Sequence, residues 1–213
     1  MKRLCLYLLI SLIPFAPSAC SDKRGGYGAL AEGTRVVAFG DSVTRGVGAG
    51  EGEDYPSLLA VLSRWDIVNA GISGERAEQA VTRINAVLDE YQPALVLIEL
   101  GGNDFLQRRS LQDIKKDLRF IIKQVQASGA TPVLIAVPEL SPLRAVAGLL
   151  KDADIYAELA KEEKIPLIPD VFSAILSDEN LRADPIHPNA AGYRKLADAC
   201  VQTLIRYGLL EKR

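Results

Sequence analysis

From residue 35 onward, short apolar runs alternate with amphipathic stretches of helical period, and this alternation limits the chain to few folds. The strongest apolar run, residues 94–100, is typical of a central buried strand. Weaker runs lie at residues 35–39, 67–69, 132–137 and 165–168, and helical patterns lie at residues 55–64, 75–91, 111–128, 153–163 and 189–207. Strands that alternate with helices pair in parallel, so we predict an α/β protein whose parallel sheet has helices on both faces.

The length and composition fit one globular domain without a nucleic-acid or metal partner. The chain has 213 residues, of which 48% are hydrophobic and 24% charged, and its net charge is −2. Acidic and basic residues are mixed along it, so no basic stripe predicts binding to nucleic acid. One histidine and three scattered cysteines do not form a familiar zinc site, and we expect no metal and no cofactor.

The N-terminus is predicted to be an export signal that is separate from the fold. Two basic residues precede an apolar stretch at residues 4–15, and small residues follow it, as in secretory signal peptides. The stretch is short and proline interrupts it, so it does not predict a membrane-spanning helix. We therefore divide the chain into a signal peptide (1–19), a linker (20–34) and a globular domain (35–213).

Cys20 bears on where the exported protein is held. The sequence Pro17-Ser18-Ala19 ahead of Cys20 resembles a bacterial lipoprotein processing site, which predicts a lipid anchor that faces the periplasm. Because Pro17 stands where such sites favour an apolar residue such as leucine, ordinary cleavage near Ser18 or Ala19 is the alternative. That cleavage would leave a soluble periplasmic protein. The remaining cysteine, Cys200, is expected to be a small buried hydrophobic residue.

The chain has a single histidine, His187, and its position suggests a nucleophilic hydrolase. Ser42 follows the first predicted strand, and α/β sheets gather their functional groups at such strand ends. A serine nucleophile needs a neighbouring base, and a histidine base needs an acceptor that fixes its tautomer. Asp184 lies three residues before the histidine and can reach it within one turn. If the chain is a serine hydrolase, Ser42, His187 and Asp184 are its predicted catalytic residues.

Four short blocks occur in an order that resembles the SGNH, or GDSL, hydrolase family. The blocks are Gly40-Asp41-Ser42, Gly71, Gly102-Asn103-Asp104 and the stretch from Asp184 to His187, within roughly residues 35–205. The resemblance is closest to the branch of bacterial periplasmic thioesterase/lysophospholipases and arylesterases. It implies a three-layer, flavodoxin-like fold whose parallel sheet has about five strands.

The same resemblance implies roles for individual residues. It assigns the oxyanion hole to the backbone N–H groups of Ser42 and Gly71 and to the side-chain amide of Asn103. It also implies that Asp41 and Asp104 brace loops by hydrogen bonding. Taken alone, Gly71 would fit a simple turn and Asn103 an Asx turn.

The loop after the fourth predicted strand is expected to rim the site. Leu140, Leu143 and Val146 either line an acyl groove or pack on the adjacent helix, and the sequence favours neither alternative.

These features predict an ester or thioester hydrolase that forms an acyl-enzyme on Ser42. Lysophospholipids, aryl esters and acyl thioesters are the expected small substrates. A carbohydrate O-deacetylase of the cell envelope is an alternative, disfavoured because Trp65 and the seven tyrosines are not clustered. A non-catalytic, flavodoxin-like binding lipoprotein is a second alternative, disfavoured because all the expected site residues are present. The sequence leaves the oligomeric state open.

Overall fold

The computed structural model describes residues 26–139 and 150–212, and it contains a five-stranded parallel sheet. The strands are β1 (Arg35–Gly40), β2 (Asp66–Gly71), β3 (Leu95–Glu99), β4 (Thr131–Ile135) and β5 (Leu167–Ile168). They lie in the order β2-β1-β3-β4-β5, and each neighbouring pair is parallel. The predicted α/β class with a flavodoxin-like sheet of about five strands is confirmed.

Helices connect the strands and cover the sheet. Within the described residues they are α1 (Ser42–Arg45), α2 (Tyr55–Ser63), α3 (Ala77–Tyr91), α4 (Gly102–Leu106), α5 (Leu111–Ala127), α6 (Asp154–Glu163), α7 (Val171–Ser177) and α8 (Ala190–Arg206), with a 3₁₀ turn at Glu179–Leu181. Helix α2 packs against α8, and α3 packs against α5. The connection from β1 to β2 runs along the sheet in one direction, and the later connections toward β5 run in the other. Because crossovers between parallel strands are right-handed, the helices of these two sets of connections lie on opposite faces of the sheet.

The two central strands carry the core and determine where a site can form. Residues 36–39 of β1 and 95–98 of β3 are all 0% exposed, which explains their unbroken apolar sequence. The chain runs from β1 outward to β2 and then returns to β3 on the other side of β1. In open α/β sheets, ligands bind at the carboxyl ends of the strands where the order reverses in this way. Gly40 and Glu99 pair at this edge, so β1 and β3 end side by side.

Several short elements were not predicted from the sequence. Helices α1, α4 and α7 and the 3₁₀ turn are each too short to show a clear hydrophobic period. Strand β2 extends from Asp66 to Gly71, beyond the predicted residues 67–69, because only its central part is apolar. The long helices and the inner strands lie where the sequence predicted them, with ends that differ by a few residues.

Part of the segment predicted as a linker lies against the domain. The N–H of Leu30 donates to the carbonyl of Leu209 at 2.9 Å, and the Tyr27 hydroxyl donates to the Lys164 carbonyl at 3.1 Å. The predicted signal peptide (1–19) and Cys20 lie outside the described residues. Across residues 26–139 and 150–212, no helix is both long and apolar enough to cross a membrane.

Candidate active site

Ser42 is placed at the carboxyl edge of the sheet by the turn that follows β1. It is the first residue of α1, and Asp41 caps that helix by accepting the N–H of Val43 on Oδ1 at 3.0 Å. The helix ends after one turn at Gly46, whose φ of 95° favours glycine. Ser42 is therefore held between a short capped helix and the end of a buried strand.

The structure brings Ser42, His187 and Asp184 into one hydrogen-bonded series. His187 Nε2 lies 2.9 Å from Ser42 Oγ, and His187 Nδ1 lies 2.7 Å from Asp184 Oδ2. The residues come from the two ends of the domain, because His187 precedes α8 and Ser42 follows β1. In this arrangement the ring can accept a proton from the serine while its other nitrogen donates to the carboxylate.

Asp184 also organises its own loop. Its Oδ1 accepts the backbone N–H of Ile186 at 2.8 Å and that of His187 at 2.9 Å. Partial burial opposes ionisation, but hydrogen bonds from the His187 ring and the Ile186 N–H outweigh it, and the pKa of Asp184 is lowered from its usual value. The carboxylate thus remains ionised next to the histidine ring.

Asn103 reaches the same edge from the start of α4. Its side-chain nitrogen Nδ2 donates to Asp41 Oδ2 at 3.0 Å and to the carbonyl of Glu75 at 3.1 Å. These two acceptors orient the amide between the end of β1 and the loop that follows β2. The predicted site residues Ser42 and Asn103 therefore lie together, and both line a small cavity with His187.

The structure contradicts the assignment of Gly71 to the oxyanion hole. Gly71 is the last residue of β2, and its N–H donates to the side-chain oxygen of Asn69 at 3.0 Å, so this donor is already engaged. Glycine is required at position 71 for another reason. A Cβ atom there would lie 2.4 Å from the backbone nitrogen of Arg45, so only glycine lets α1 approach β2 this closely.

The loop between β2 and α3 is held by an ion pair between Glu75 and Arg83. The guanidinium donates to both carboxylate oxygens, at 2.6 and 2.5 Å, and its Nη2 also donates to the carbonyl of Ala70 at 2.9 Å. The guanidinium carbon stacks over the Phe39 ring at 4.0 Å from the ring centre. This cluster fixes the backbone whose Glu75 carbonyl accepts the amide of Asn103.

Asp104 braces the neighbouring helices, as the resemblance implied. It is fully buried, and its Oδ2 accepts the N–H of Ala77 at the start of α3, at 2.9 Å. Its Oδ1 accepts from Arg109 Nη1 at 2.5 Å. Asp104 thereby ties α4, which carries Asn103, to the start of α3.

A buried carboxyl group that sequence reasoning left without a role lies beneath the site. Glu99 ends β3 and is fully buried, and its Oε2 accepts the hydroxyl of Thr44 at 3.0 Å. Burial, with the neighbouring Asp41 charge, raises the pKa of Glu99 well above its ordinary value, and burial also raises the pKa of Asp41 to about 6. Only its position at the end of a buried strand, beside the Gly-Gly-Asn block, signalled that this acid is not a surface residue.

The pocket at Ser42 is shallow. Among the described residues, those around Ser42 enclose a cavity of only about 20 Å³, which is room for about one water molecule. Its apolar walls include Leu106, Phe172 and Ile186. Sequence reasoning missed these three, although two of them lie within three residues of Asn103 or His187. Leu140, Leu143 and Val146, predicted to line an acyl groove, lie outside the described residues.

The remaining cysteine and the acidic side chains do not form a second site in the part of the chain that the structure describes. Cys200 is fully buried with a free thiol, and burial raises its pKa to about 12, as suits a small packing residue. Within those same residues, no group of three or more histidine, cysteine, aspartate or glutamate side chains could hold a metal ion.

The flavodoxin-like sheet order and the serine–histidine–aspartate series at its switch point are those of a serine hydrolase. Residues 38–195 match the GDSL-like lipase/acylhydrolase family, and the chain belongs to that family. The resemblance inferred from the four sequence blocks is thereby confirmed.

Relatives and solved structures agree with this assignment. Thioesterase 1/protease 1/lysophospholipase L1 of Escherichia coli (strain K12) is 34% identical over 169 residues, which cover 76% of this chain and 79% of that protein. An arylesterase of Vibrio mimicus is 28% identical over 179 residues, which cover 81% of this chain and 89% of the relative. The crystal structure of TesA has a TM-score of 0.72 and 28% identity, and the match covers 80% of this chain and 98% of that chain.

Proposed function

We propose that this protein hydrolyses acyl esters or thioesters through an acyl-enzyme on Ser42. The observation that carries the proposal is the pair of contacts on His187, 2.9 Å to Ser42 Oγ and 2.7 Å to Asp184 Oδ2. A hydroxyl, a base and an orienting carboxylate in this series are what nucleophilic acyl transfer needs.

In the proposed reaction, Ser42 Oγ attacks the acyl carbon while His187 Nε2 takes the hydroxyl proton. His187 then returns this proton to the leaving alcohol or thiol as the tetrahedral intermediate collapses. Water attacks the acyl-enzyme in the same way, with His187 again as the base, and the carboxylic acid leaves. Asp184 holds the ring proton on Nδ1 and stabilises the imidazolium that forms.

We propose that the oxyanion is bound by the N–H of Ser42, the amide of Asn103 and the N–H of Gly74 in place of Gly71. Gly74 precedes Glu75, whose carbonyl already accepts from Asn103, and its φ of 81° places it in a glycine turn at the same edge. Among the described residues apart from its chain neighbours, no atom lies within 4 Å of the position that a Gly74 Cβ would take, so the turn is open on that side. Asn103 would share one of its two amide hydrogens with the oxyanion.

The substrate class is proposed from the shape of the site and from its relatives. The cavity at Ser42 is small, the apolar side chain of Leu106 (44% exposed) lines it, and Ile72 (49% exposed) follows β2 at the same edge, where its N–H donates to the carbonyl of Gly40. A reactive ester with its apolar part lying over this surface would fit, such as a lysophospholipid, an aryl ester or an acyl thioester. The named activities of the two relatives, a thioesterase/lysophospholipase and an arylesterase, fall in the same class.

The first test is a panel of p-nitrophenyl esters and acyl thioesters, from acetyl to palmitoyl. Ser42→Ala and His187→Ala should each lower kcat by about 10⁴–10⁶-fold. Ser128→Ala is the matched control, because this exposed serine follows α5 at the opposite edge of the sheet. A chain-length profile with only acetyl esters active would favour the O-deacetylase alternative. Wild type and both variants equally inert on the whole panel would favour the binding lipoprotein, and variants as active as wild type would refute the mechanism.

We further propose that the protein is exported to the bacterial cell envelope and carries lipid on Cys20. The basic and apolar residues of the N-terminus support this proposal, as does the run of small residues before the cysteine. Intact-mass analysis of the processed protein tests it. A diacylglycerol adduct on a chain that begins at Cys20 is expected, and an unmodified chain that begins at residue 19 or 20 would show ordinary cleavage.

A further inference from the structure

Two buried carboxyl groups, those of Asp41 and Glu99, lie at neighbouring positions beneath Ser42, and the proposed mechanism gives one of them no task. Glu99 is 0% exposed and Asp41 is 2% exposed, both line the cavity at Ser42, and Glu99 pairs with Gly40, the residue before Asp41. Two carboxylates in contact and away from water repel each other and cannot both remain ionised. One proton shared by the pair would remove this repulsion and allow a hydrogen bond between the two side chains.

The other contacts of the pair indicate which residue carries the proton. Asp41 accepts at both oxygens, from the N–H of Val43 and from Asn103 Nδ2, each at 3.0 Å, and two donors favour its ionised form. Glu99 Oε2 accepts from Thr44 at 3.0 Å, whereas the buried Oε1 has no hydrogen-bond partner among the described residues. A proton on Oε1 would give that atom a partner in the Asp41 carboxylate, and no buried polar atom of Glu99 would then be left unpaired.

We propose that Glu99 is a positioning residue that carries a proton on Oε1 and donates it in a hydrogen bond to Asp41. The bond would fix the carboxylate that orients the amide of Asn103 and caps the helix that begins at Ser42. The link to catalysis rests on the proposed function, whereas the protonation of Glu99 does not.

The surroundings of the pair favour this single-proton state. The ionisable groups that face it are Tyr55 of α2, Asp104 of α4, Tyr156 of α6, Tyr193 of α8 and His187 of the loop before α8, and Arg83 of α3 reaches the carbonyl of Gly40. Among the described side chains that face the carboxyl pair directly, only His187 can carry a positive charge. Burial first, and then the Asp41 charge, raises the pKa of Glu99 well above its ordinary value.

Protonation of Glu99 predicts a pH-dependent stability difference between wild type and Glu99→Gln. The pKa of Glu99 is raised in the folded state, so its stabilising effect is complete below the unfolded pKa, about 4.3, and is lost as the pH rises toward the folded pKa. Glutamine does not titrate. The ratio of folding constants, Glu99→Gln over wild type, should therefore rise about tenfold (about 1.4 kcal/mol) per pH unit above pH 5 while Glu99 stays protonated.

The measurement is urea unfolding of the full-length protein and of Glu99→Gln at pH 5, 6, 7 and 8. A ratio that does not change with pH would mean that Glu99 is ionised in the folded state, and it would overturn the proposal. The unfolding measurement needs no substrate, so its result is independent of the hydrolase test. The proposed function would fail separately, if wild type and Ser42→Ala both showed no hydrolysis.

Kinetics test the positioning role with a conservative and a disruptive variant. In Glu99→Gln, the side-chain NH₂ can donate to Asp41 and the oxygen can accept from Thr44, so kcat should stay within about threefold of wild type. In Glu99→Leu the donor is absent, and kcat should fall by about 10²-fold, as when one oxyanion donor is lost. KM should change little, because the oxyanion donor acts on the transition state and not on the bound ground-state substrate.

Thr203→Val is the matched control, because it removes a buried hydroxyl from α8 away from the carboxyl pair and should leave kcat unchanged. A kcat for Glu99→Gln that falls as far as that of Glu99→Leu would show that the charge of Glu99 matters, and it would refute the proposal. A wild-type kcat in Glu99→Leu would refute it as well. If Glu99→Leu does not fold, the pH dependence and kcat of Glu99→Gln decide the question.

Discussion

Replacement of Asp184 by asparagine tests how the histidine ring is oriented, because it removes a charge and keeps the shape. In the wild type, Oδ1 accepts two backbone N–H groups, from Ile186 and His187, while Oδ2 accepts from the ring. Asparagine has one oxygen for these three donors. When that oxygen faces the two backbone groups, the NH₂ group faces ring Nδ1, which must then accept. The ring proton moves to Nε2, and His187 can no longer accept the proton of Ser42.

The size of the effect follows from counting these hydrogen bonds. The blocking orientation of the amide makes three bonds and the productive orientation makes one, a difference of about 2 kcal/mol at about 1 kcal/mol per bond. Loss of the charge on the acceptor weakens the bond to the imidazolium by about 1–2 kcal/mol more. The sum of about 3–4 kcal/mol predicts a kcat lowered by about 10²–10³-fold. The Asp184 side chain is 45% exposed, so water offsets part of the loss, and a fully buried aspartate would cost more.

The assay compares kcat of Asp184→Asn with that of Asp184→Ala on the best ester of the panel. Alanine removes the same charge but does not force the wrong tautomer, so Asp184→Ala should stay several-fold more active. His187 is the only histidine, so its ring ¹⁵N spectrum reports the tautomer without overlap, and the proton should move from Nδ1 to Nε2 in Asp184→Asn. An unchanged tautomer, or a kcat within threefold of wild type, would refute the reasoning.

Two further substitutions test the supports of the site by urea unfolding. Gly71→Ala should cost about 1–3 kcal/mol or more, because the new methyl group would lie 2.4 Å from a backbone nitrogen of α1, whereas Gly28→Ala, with no atom within 4 Å, should be nearly neutral. Arg83→Lys should cost about 2–4 kcal/mol, because lysine cannot bond both oxygens of Glu75, whose side chain is only 6% exposed. Arg194→Lys, in an exposed pair, should change the free energy of unfolding by less than about 0.5 kcal/mol, and equal costs for the two arginines would contradict the argument.

The inner strands could be predicted from the sequence because a strand that is buried on both faces has an unbroken apolar sequence. Strand β3 lies within the predicted run 94–100 since helices cover it on both sides, and an unbroken apolar run has few other structural uses. Strand β2 was predicted too short, because most of its residues are only partly buried at the sheet edge and its sequence is mixed. Helix α7 gave no signal, because seven residues do not show a clear helical period.

Whether a site residue could be predicted from the sequence also depends on how local its contacts are. His187 and Asp184 could be found because their contact is local, within a loop of three residues, and because the chain offers no other histidine. Gly71 was a wrong choice because two glycines lie three residues apart, one at the end of β2 and one after it, and the sequence alone does not distinguish them. The Asn69 side-chain oxygen accepts the N–H of Gly71, and the spacing of the glycines does not reveal this contact.

Glu99 shows most clearly why sequence patterns do not reveal the buried polar residues that support a site. A charged residue after an apolar run normally marks the point where a strand reaches water, and here it marks a strand that ends against Asp41 inside the protein. The apolar strands provide the burial that stabilises the sheet, while the buried acids at its carboxyl edge oppose it, because each must lose water or keep a proton. Polar groups held at such a cost need partners with fixed geometry. That requirement is why Asp41 accepts the amide of Asn103 and Glu99 accepts the hydroxyl of Thr44 at this edge of the sheet.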